Sequence, residues 1–370
     1  MKSIITTLLL GGAVFSTFGQ DSVEVGLKAL TDQDKYKEIT EIYINDIDKL
    51  SAKSLYYIGN AYYMLENDQE CLKYINLSIE KDNSNSASYF LKGNTLNYTE
   101  RYTDAIEAFN QAIKLNPNDA LFYSGLGDSY NQLKQYQQAL DAFSNATKME
   151  NCPIRSFYML GQLCMDLNMN SEALKAYYVT KSKIDFQSEY YVNILFNIGL
   201  LELLANNYKK AEPIFEEIIK ISPTDFHSYA KLIQVYYHNK QYEKAEPLKA
   251  VLYKAFKQGE LVDTDLEDMF CIDQFSWNNK KIMTFERYEE GDKNMIYYKH
   301  IFYLLDDNGD VEIQVQTEYS PFAAQTGDVK YLLCASKGST HYNSGIGLKK
   351  GYTYQYAKIL AIQMFEKHMK

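Results

Sequence analysis

Glycine recurs at Gly59, Gly93, Gly127 and Gly161, each 34 residues after the last, and nothing else in this 370-residue chain restricts its fold as tightly. A fixed step of that length means that one supersecondary unit is stacked on copies of itself. Twelve residues after each glycine comes a small side chain (Cys71, Ala105, Ala139, Ala173), and sixteen after comes a large apolar one (Ile75, Phe109, Phe143, Tyr177). Two antiparallel helices that cross closely need bare surface at the contact and bulk around it. The expectation is therefore that each glycine faces the small residue of its partner helix, with the large residues filling the gaps. A glycine inside a helix costs about 1 kcal/mol relative to alanine, so packing must demand it.

The column order of Gly, Tyr, Ala, Phe and Pro resembles the tetratricopeptide repeat family, built from a helix-turn-helix of this length. Residues 86–119 carry Tyr89, Gly93, Tyr102, Ala105, Phe109, Ala112 and Pro117, and residues 120–153 carry Tyr123, Gly127, Tyr130, Tyr136, Ala139, Phe143 and Ala146. Other copies depart from the pattern: 52–85 has Cys71 in the alanine column and Asn83 in the proline column, and the fourth copy has Cys164 where the family usually has tyrosine. Gly199 follows Gly161 by 38 residues, so about four are inserted near "KSKIDFQSEY". Ala211, Phe215 and Pro223 then resume the columns, and a sixth copy has Tyr229, Tyr236, Tyr242 and Ala245 with Ile233 in the glycine column. Pro213 and Pro247 share one repeat position, which reads as the opening turn of a second helix, where amide hydrogens lack helical partners. The resemblance implies an α solenoid of six repeats over residues 52–259, preceded by a degenerate capping copy over 20–51.

In that family the second, fifth, ninth, twelfth and thirteenth repeat positions point into a concave groove. Carried onto this chain, they give Lys53, Tyr56, Asn60 and Tyr63, then Phe90, Asn94, Asn97 and Tyr98, then Asp128, Asn131 and Gln132. Later copies supply Arg155, Tyr158, Gln162 and Asp166, then Asn193, Phe196 and Leu200, then His227, Gln234, Tyr237 and His238. Amide side chains can pair with both the N–H and C=O of an extended peptide, and aromatic rings can clamp its side chains. The groove lacks the grouped Lys, Arg and Asn of a carboxylate clamp, with Leu121 and Ser124 near where cations would sit.

The two ends of the chain read differently. "MKSIITTLLLGGAVFSTFGQ" has a lysine, an apolar run and small residues at Thr17 and Gly19, the build of a secretory signal peptide over residues 1–19; the alternative is an uncleaved anchor. The run is shorter than the roughly 20 residues needed to span a bilayer. After cleavage no membrane insertion is expected, and the location is the periplasm or the exterior. From about residue 260 the apolar period becomes two. "VEIQVQTEY" puts Val311, Ile313, Val315, Thr317 and Tyr319 on one face; "MIYYKHIFYLL" is apolar on both faces, as a central strand would be. Asn308-Gly309 in "DDNGD" predicts a type I′ hairpin turn between them. Further strands are expected at "CIDQFSW", "KKIMTFERYEE", "VKYLLCASK" and "THYNSGIGL", followed by a helix with Tyr352, Tyr356, Ile359, Leu360 and Met364 on one face. Residues 260–370 thus read as a small α+β domain, an antiparallel sheet of five or six strands with a C-terminal helix.

No pattern of catalytic or metal-ligand residues accompanies this architecture, so no cofactor, metal or catalytic residue is expected. The function expected is a non-catalytic adaptor or scaffold binding a protein or peptide. The competing reading gives the sheet a ligand or catalytic site around His300, Cys334 and His341, with the repeats recruiting substrate. A formal net charge of -10 argues against nucleic acid as partner. Of the five cysteines, Cys71 reads as a buried thiol, Cys152 and Cys164 as too far apart on a helix to bridge, and Cys271 and Cys334 as able to pair if their strands are neighbours.

Overall fold

The computed structural model describes residues 20–41, 47–261, 270–286, 297–319, 328–337, 340–350 and 353–368. The region read as a signal peptide lies outside the described residues. The chain forms two compact units, residues 1–184 and 185–370. The boundary falls in the inserted segment, so the last two repeats belong to the same unit as the sheet.

In the first unit α1 (Gln20–Thr31) and α2 (Tyr36–Glu41) precede four helix pairs: α3 (Ala52–Met64) with α4 (Asp68–Lys81), α5 (Ser86–Tyr98) with α6 (Tyr102–Leu115), α7 (Ala120–Gln132) with α8 (Tyr136–Thr147), and α9 (Ile154–Asp166) with α10 (Asn170–Lys183). Short polar side chains set several of the starts. Ser51, Asn67, Asn85 and Asp119 each accept a backbone N–H of the first turn, satisfying a donor that has no helical partner.

The small column is fully buried at Cys71, Ala105, Ala139 and Ala173. Each glycine is covered most closely by the large residue of its own repeat. A Cβ on Gly59 would stand 2.8 Å from Ile75, on Gly93 2.8 Å from Phe109, on Gly127 2.9 Å from Phe143 and on Gly161 3.0 Å from Tyr177. The space left by each glycine is thus filled by the large residue sixteen places later, the bulk expected around a close helix crossing. Phe109 is gripped twice, since a Cβ on Gly125 of the following repeat would also lie 2.5 Å from its ring.

A second periodicity sits in the turns. Glu66, Glu100, Lys134 and Asn168, again 34 residues apart, all adopt positive φ between 57° and 60°. Each ends its first helix in a Schellman closure, with Asn67 N–H bonding Tyr62 O at 2.9 Å, Arg101 to Leu96 at 2.8 Å, Gln135 to Tyr130 at 2.9 Å and Met169 to Cys164 at 2.7 Å. Asp34, at φ 56°, closes α1 in the same way through Lys35 N–H to Leu30 O at 3.0 Å. A side chain in this region is strained and glycine is not. Lys134→Gly is accordingly expected to stabilise the first unit by about 0.5–1 kcal/mol after the entropy of the unfolded glycine is subtracted. An unchanged or lowered denaturation midpoint would contradict this.

The second unit opens with α11 (Tyr191–Leu204), α12 (Tyr208–Ile221), α13 (Phe226–His238) and α14 (Tyr242–Lys257). Gly199 meets Phe215 as its counterparts do, a Cβ there lying 2.7 Å from the ring, and Asn206 and Lys240 continue the left-handed turns. Pro213 and Pro247 are the sixth residues of their helices rather than members of the opening turn, so each removes one interior helical bond. The sheet follows as β1 (Cys271–Trp277), β2 (Lys280–Glu286), β3 (Tyr297–Leu305), β4 (Val311–Tyr319), β5 (Asp328–Lys337) and β6 (Thr340–Lys350), antiparallel throughout in the order β1-β2-β3-β4-β5-β6. The closing helix α15 (Tyr354–His368) packs on β3, β4 and β5, and α13 runs along β1.

Several sequence expectations shift here. Ile313, Val315 and Thr317 are buried as the alternation requires, but Val311 is 51% exposed, because a register irregularity at Leu304/Leu305 turns the strand end outward. The buried face of α15 is Tyr354, Ala357, Leu360, Ala361, Met364 and Phe365, leaving Ile359 exposed. Two alanines give the close approach to the sheet, and that sets the phase of the helix ahead of side-chain hydrophobicity. At the β3–β4 turn only Gly309 has positive φ. Asp306 there accepts from the backbone N–H groups of Asn308 and Asp310, at 2.9 Å each, and holds a longer loop than a type I′ turn. The two-residue turn lies instead at Asn278-Asn279, both at positive φ, between paired Trp277 and Lys280. Cys271 is a free thiol on β1, with three strands between it and the β5 that carries Cys334, so the strands are not neighbours and the condition set for that pairing is not met.

Candidate functional site

First helices of successive repeats touch one another directly, α3 on α5 and α5 on α7, which makes them the tighter, inner layer of the first unit. The projected groove residues ride on this layer. Tyr56, Asn60, Tyr63, Asn94 and Asn131 are half-buried, Lys53 is exposed and ion-paired to Glu24 at 3.6 Å, and Tyr98 is 65% exposed. Burial raises the phenol pKa of both Tyr56 and Tyr63. Neutral phenols among amides make a surface that offers donors and acceptors without charge.

Some projected residues serve the solenoid itself. Phe90 packs against Phe109 and Phe122, with ring centroids 6.1 and 5.2 Å away, and so belongs partly to the core. Asn97 donates to Gly125 O at 3.2 Å and accepts from Ser129 Oγ at 2.7 Å, which ties neighbouring repeats together. Arg155 Nη1 meets Asp128 Oδ2 at 2.5 Å across the next interface. Burial raises the Asp128 pKa while Arg155 opposes the shift, and its other oxygen, Oδ1, has no hydrogen-bond partner. Gln162 donates to Tyr158 Oη at 2.8 Å.

The second unit treats its groove positions otherwise. Phe196 is half-buried, edge-on to Phe215 at 6.0 Å. Gln234 and Tyr237 are buried on α13 against the sheet and so line no open groove. Gln234 Nε2 donates to the backbone carbonyl of Cys271 in β1 at 3.0 Å. Tyr237 packs edge-on to Tyr354 at 5.0 Å and to Tyr242 at 5.1 Å, and its pKa rises far above the phenol range, through burial first and then the carboxylates of Glu286 and Glu246. Beside them Asp273 of β1 is buried, accepting from Tyr354 Oη at 2.5 Å and Lys358 Nζ at 2.8 Å, with His238 Nε2 3.2 Å from its second oxygen. Sequence reasoning missed this hub, because Asp273 reads as an ordinary polar position of an alternating strand.

Residues 93–134 match the family model described as TPR repeat, and residues 192–225 the model described as tetratricopeptide repeat. These are tetratricopeptide repeats. Neither match reaches the sheet. No curated protein matches the chain in sequence. Among solved structures the chain is similar to Pseudomonas aeruginosa pilF, at 14% identity and a TM-score of 0.47, over 55% of this chain and 92% of that one. It is also similar to YrrB, described as a TPR protein with an unusual peptide-binding site, at 19% identity and a TM-score of 0.41, over 58% and 96% of the two chains. A tetratricopeptide repeat protein from Parabacteroides merdae is 15% identical, with a TM-score of 0.41, over 60% and 83%.

Tetratricopeptide repeats are protein-interaction modules, generally non-catalytic, and imply a protein partner. As to the competing site in the sheet, the side chains of Cys334 and His341 lie outside the described residues. His300 is buried beside Tyr354, their rings 5.1 Å apart, and burial pushes the Cys271 thiol up to about 11, away from nucleophilic use. Among the described residues no group of three or more His, Cys, Asp or Glu is placed to hold a metal ion, and no helix is long and apolar enough to cross a membrane.

Proposed function

We propose that the tetratricopeptide repeats of the first unit bind an extended segment of a partner protein, and that the chain is a non-catalytic adaptor acting outside the cytoplasm. One observation supports the mode of binding. Gln234 occupies the ninth position of its repeat, and there its amide hydrogen-bonds the backbone of an extended strand. The same position carries Asn60, Asn94 and Gln162 in the first unit, half-buried and facing no sheet of their own, with Asp128 standing among them in the third copy. An amide ladder of this kind reads peptide backbone and is indifferent to sequence, whereas Tyr56, Tyr63 and Tyr98 would select for apolar side chains between the rungs. The reading of export, to the periplasm or the exterior, rests on the N-terminal sequence alone.

The test compares wild-type protein with Tyr56→Ala/Asn60→Ala/Asn94→Ala/Tyr98→Ala as bait for envelope proteins, with circular dichroism monitoring the fold. At about 1 kcal/mol for each amide bond and each ring, the quadruple variant should bind on the order of a thousandfold more weakly. Equal retention of the partner by both baits would move the site off this groove.

A further inference from the structure

The last repeat already holds an extended segment, and the single charged side chain of that segment needs help from outside the repeat. Gln234, at the ninth repeat position, donates to the Cys271 carbonyl of β1. One helical turn on, at the thirteenth position, His238 Nε2 stands 3.2 Å from Asp273 Oδ1. The other carboxylate oxygen accepts from Lys358 Nζ at 2.8 Å and from Tyr354 Oη, both on α15. The repeat therefore supplies recognition of the backbone. The buried carboxylate is met by a cation and a hydroxyl that a separate helix brings, without which its desolvation would go uncompensated.

The first unit repeats the ninth-position amides and omits the charged partners. Its thirteenth positions are Met64, Tyr98, Gln132 and Asp166, none of them a cation. Charge is scarce along the whole inner layer: α3, α5, α7 and α9 carry only Lys53, Lys92, Asp128, Arg155 and Asp166, fewer than half as many charged residues as the outer α4, α6, α8 and α10. Lys92 is at the seventh repeat position and lies off the projected groove. Lys53 pairs with Glu24 at 3.6 Å and Arg155 with Asp128 at 2.5 Å. Only Asp166, in the fourth copy, is left as a groove charge with no ion pair among the described residues. A chain of formal net charge -10 thus presents an almost neutral inner layer.

We propose that the groove of the first unit selects extended segments free of charged side chains and rejects the same segment once it carries a charge. The proposal rests on the binding of an extended segment by these repeats and names the class of segment taken. A carboxylate entering among Tyr56, Asn60, Asn94 and Tyr98 loses water and gains no cation, and an ammonium finds Asp128 already held by Arg155. With no net charge on either side of the contact, binding is insensitive to salt.

β1 itself supplies the probe. Capped peptides of the Cys271–Trp277 sequence, all with Cys271→Ser, are made with Asp273 retained, with Asp273→Asn and with Asp273→Lys. Each is titrated by calorimetry into the full-length chain at about 50 mM and about 500 mM salt. The Asp273→Asn peptide should bind on the order of tenfold more tightly than either charged form, with less than about a twofold change between the two salt concentrations. Its binding should be lost in the Tyr56→Ala/Asn60→Ala/Asn94→Ala/Tyr98→Ala protein, which assigns it to the first unit and not to a displaced β1. Equal or tighter binding of a charged form, affinity that falls with salt, equal binding by the quadruple variant, or no binding of the neutral form would overturn the selection. The groove itself is judged separately by partner capture: a charged partner lost with the same variant would keep the groove and remove its neutrality.

Discussion

Asp273→Ala is expected to destabilise the second unit by about 3 kcal/mol. The carboxylate is buried, 1% exposed, and is the acceptor for both Tyr354 and Lys358. Removing one partner of a buried pair leaves the other uncompensated, which typically costs about 3–5 kcal/mol. The lower end applies because the Lys358 side chain retains 21% exposure and can turn its ammonium to water, and because Tyr354 keeps Thr284 Oγ1 at 3.3 Å. Asp273→Asn, which preserves an acceptor oxygen, should cost less than the alanine change. In an Asp273→Ala background Lys358→Met should recover part of the loss. Urea unfolding followed at Trp277 reads all three. A wild-type midpoint for Asp273→Ala would mean that the hub contributes nothing to holding β1, α13 and α15 together.

Phe109→Ala should cost the first unit about 3–5 kcal/mol, at the upper end for a ring removed from a core. The ring is fully buried and lies on two bare backbones, Gly93 of its own repeat and Gly125 of the next, so neither helix has a side chain with which to fill the void. Gly125→Ala alone should also destabilise, by about 1–3 kcal/mol, since its Cβ would enter the space of a ring that Gly93 prevents from retreating. In the Phe109→Ala background the sign of Gly125→Ala should reverse, because the clash is gone and the gain of about 1 kcal/mol in helix propensity remains. Additivity of the two substitutions would show that the grip on Phe109 does not exist.

The helices were legible in the sequence because a repeat writes each position several times, so Gly93 and Ala105 did not have to be interpreted singly. The double grip on Phe109 was not legible. Column spacing gives distance along the chain and says nothing of how far the Phe109 ring reaches, and Gly125 stands outside the 34-residue step altogether. The strands were equally open to reading, since alternation such as Ile313, Val315 and Thr317 has a period that helices cannot share. The phase of α15 was hidden because Ala357 and Ala361 are weak in hydrophobicity and decisive in size. Of the site, residue positions came through and their availability did not. Gln234 and Asn94 are equivalent in the repeat, and only the return of β1 to α13 separates a sealed position from an open one.

The cysteines lead to a different kind of consequence. Cys71, Cys152 and Cys164 in the first unit and Cys271 in the second are buried thiols, and burial raises the pKa of every one, Cys71 and Cys271 to about 11. An alkylating reagent can take them only while the surrounding helices or strands are transiently open. Labelling rates resolved by mass at each cysteine therefore form a native clock for the breathing of each unit, with Cys271 timing the strand that α13 holds, and they require no change to the protein.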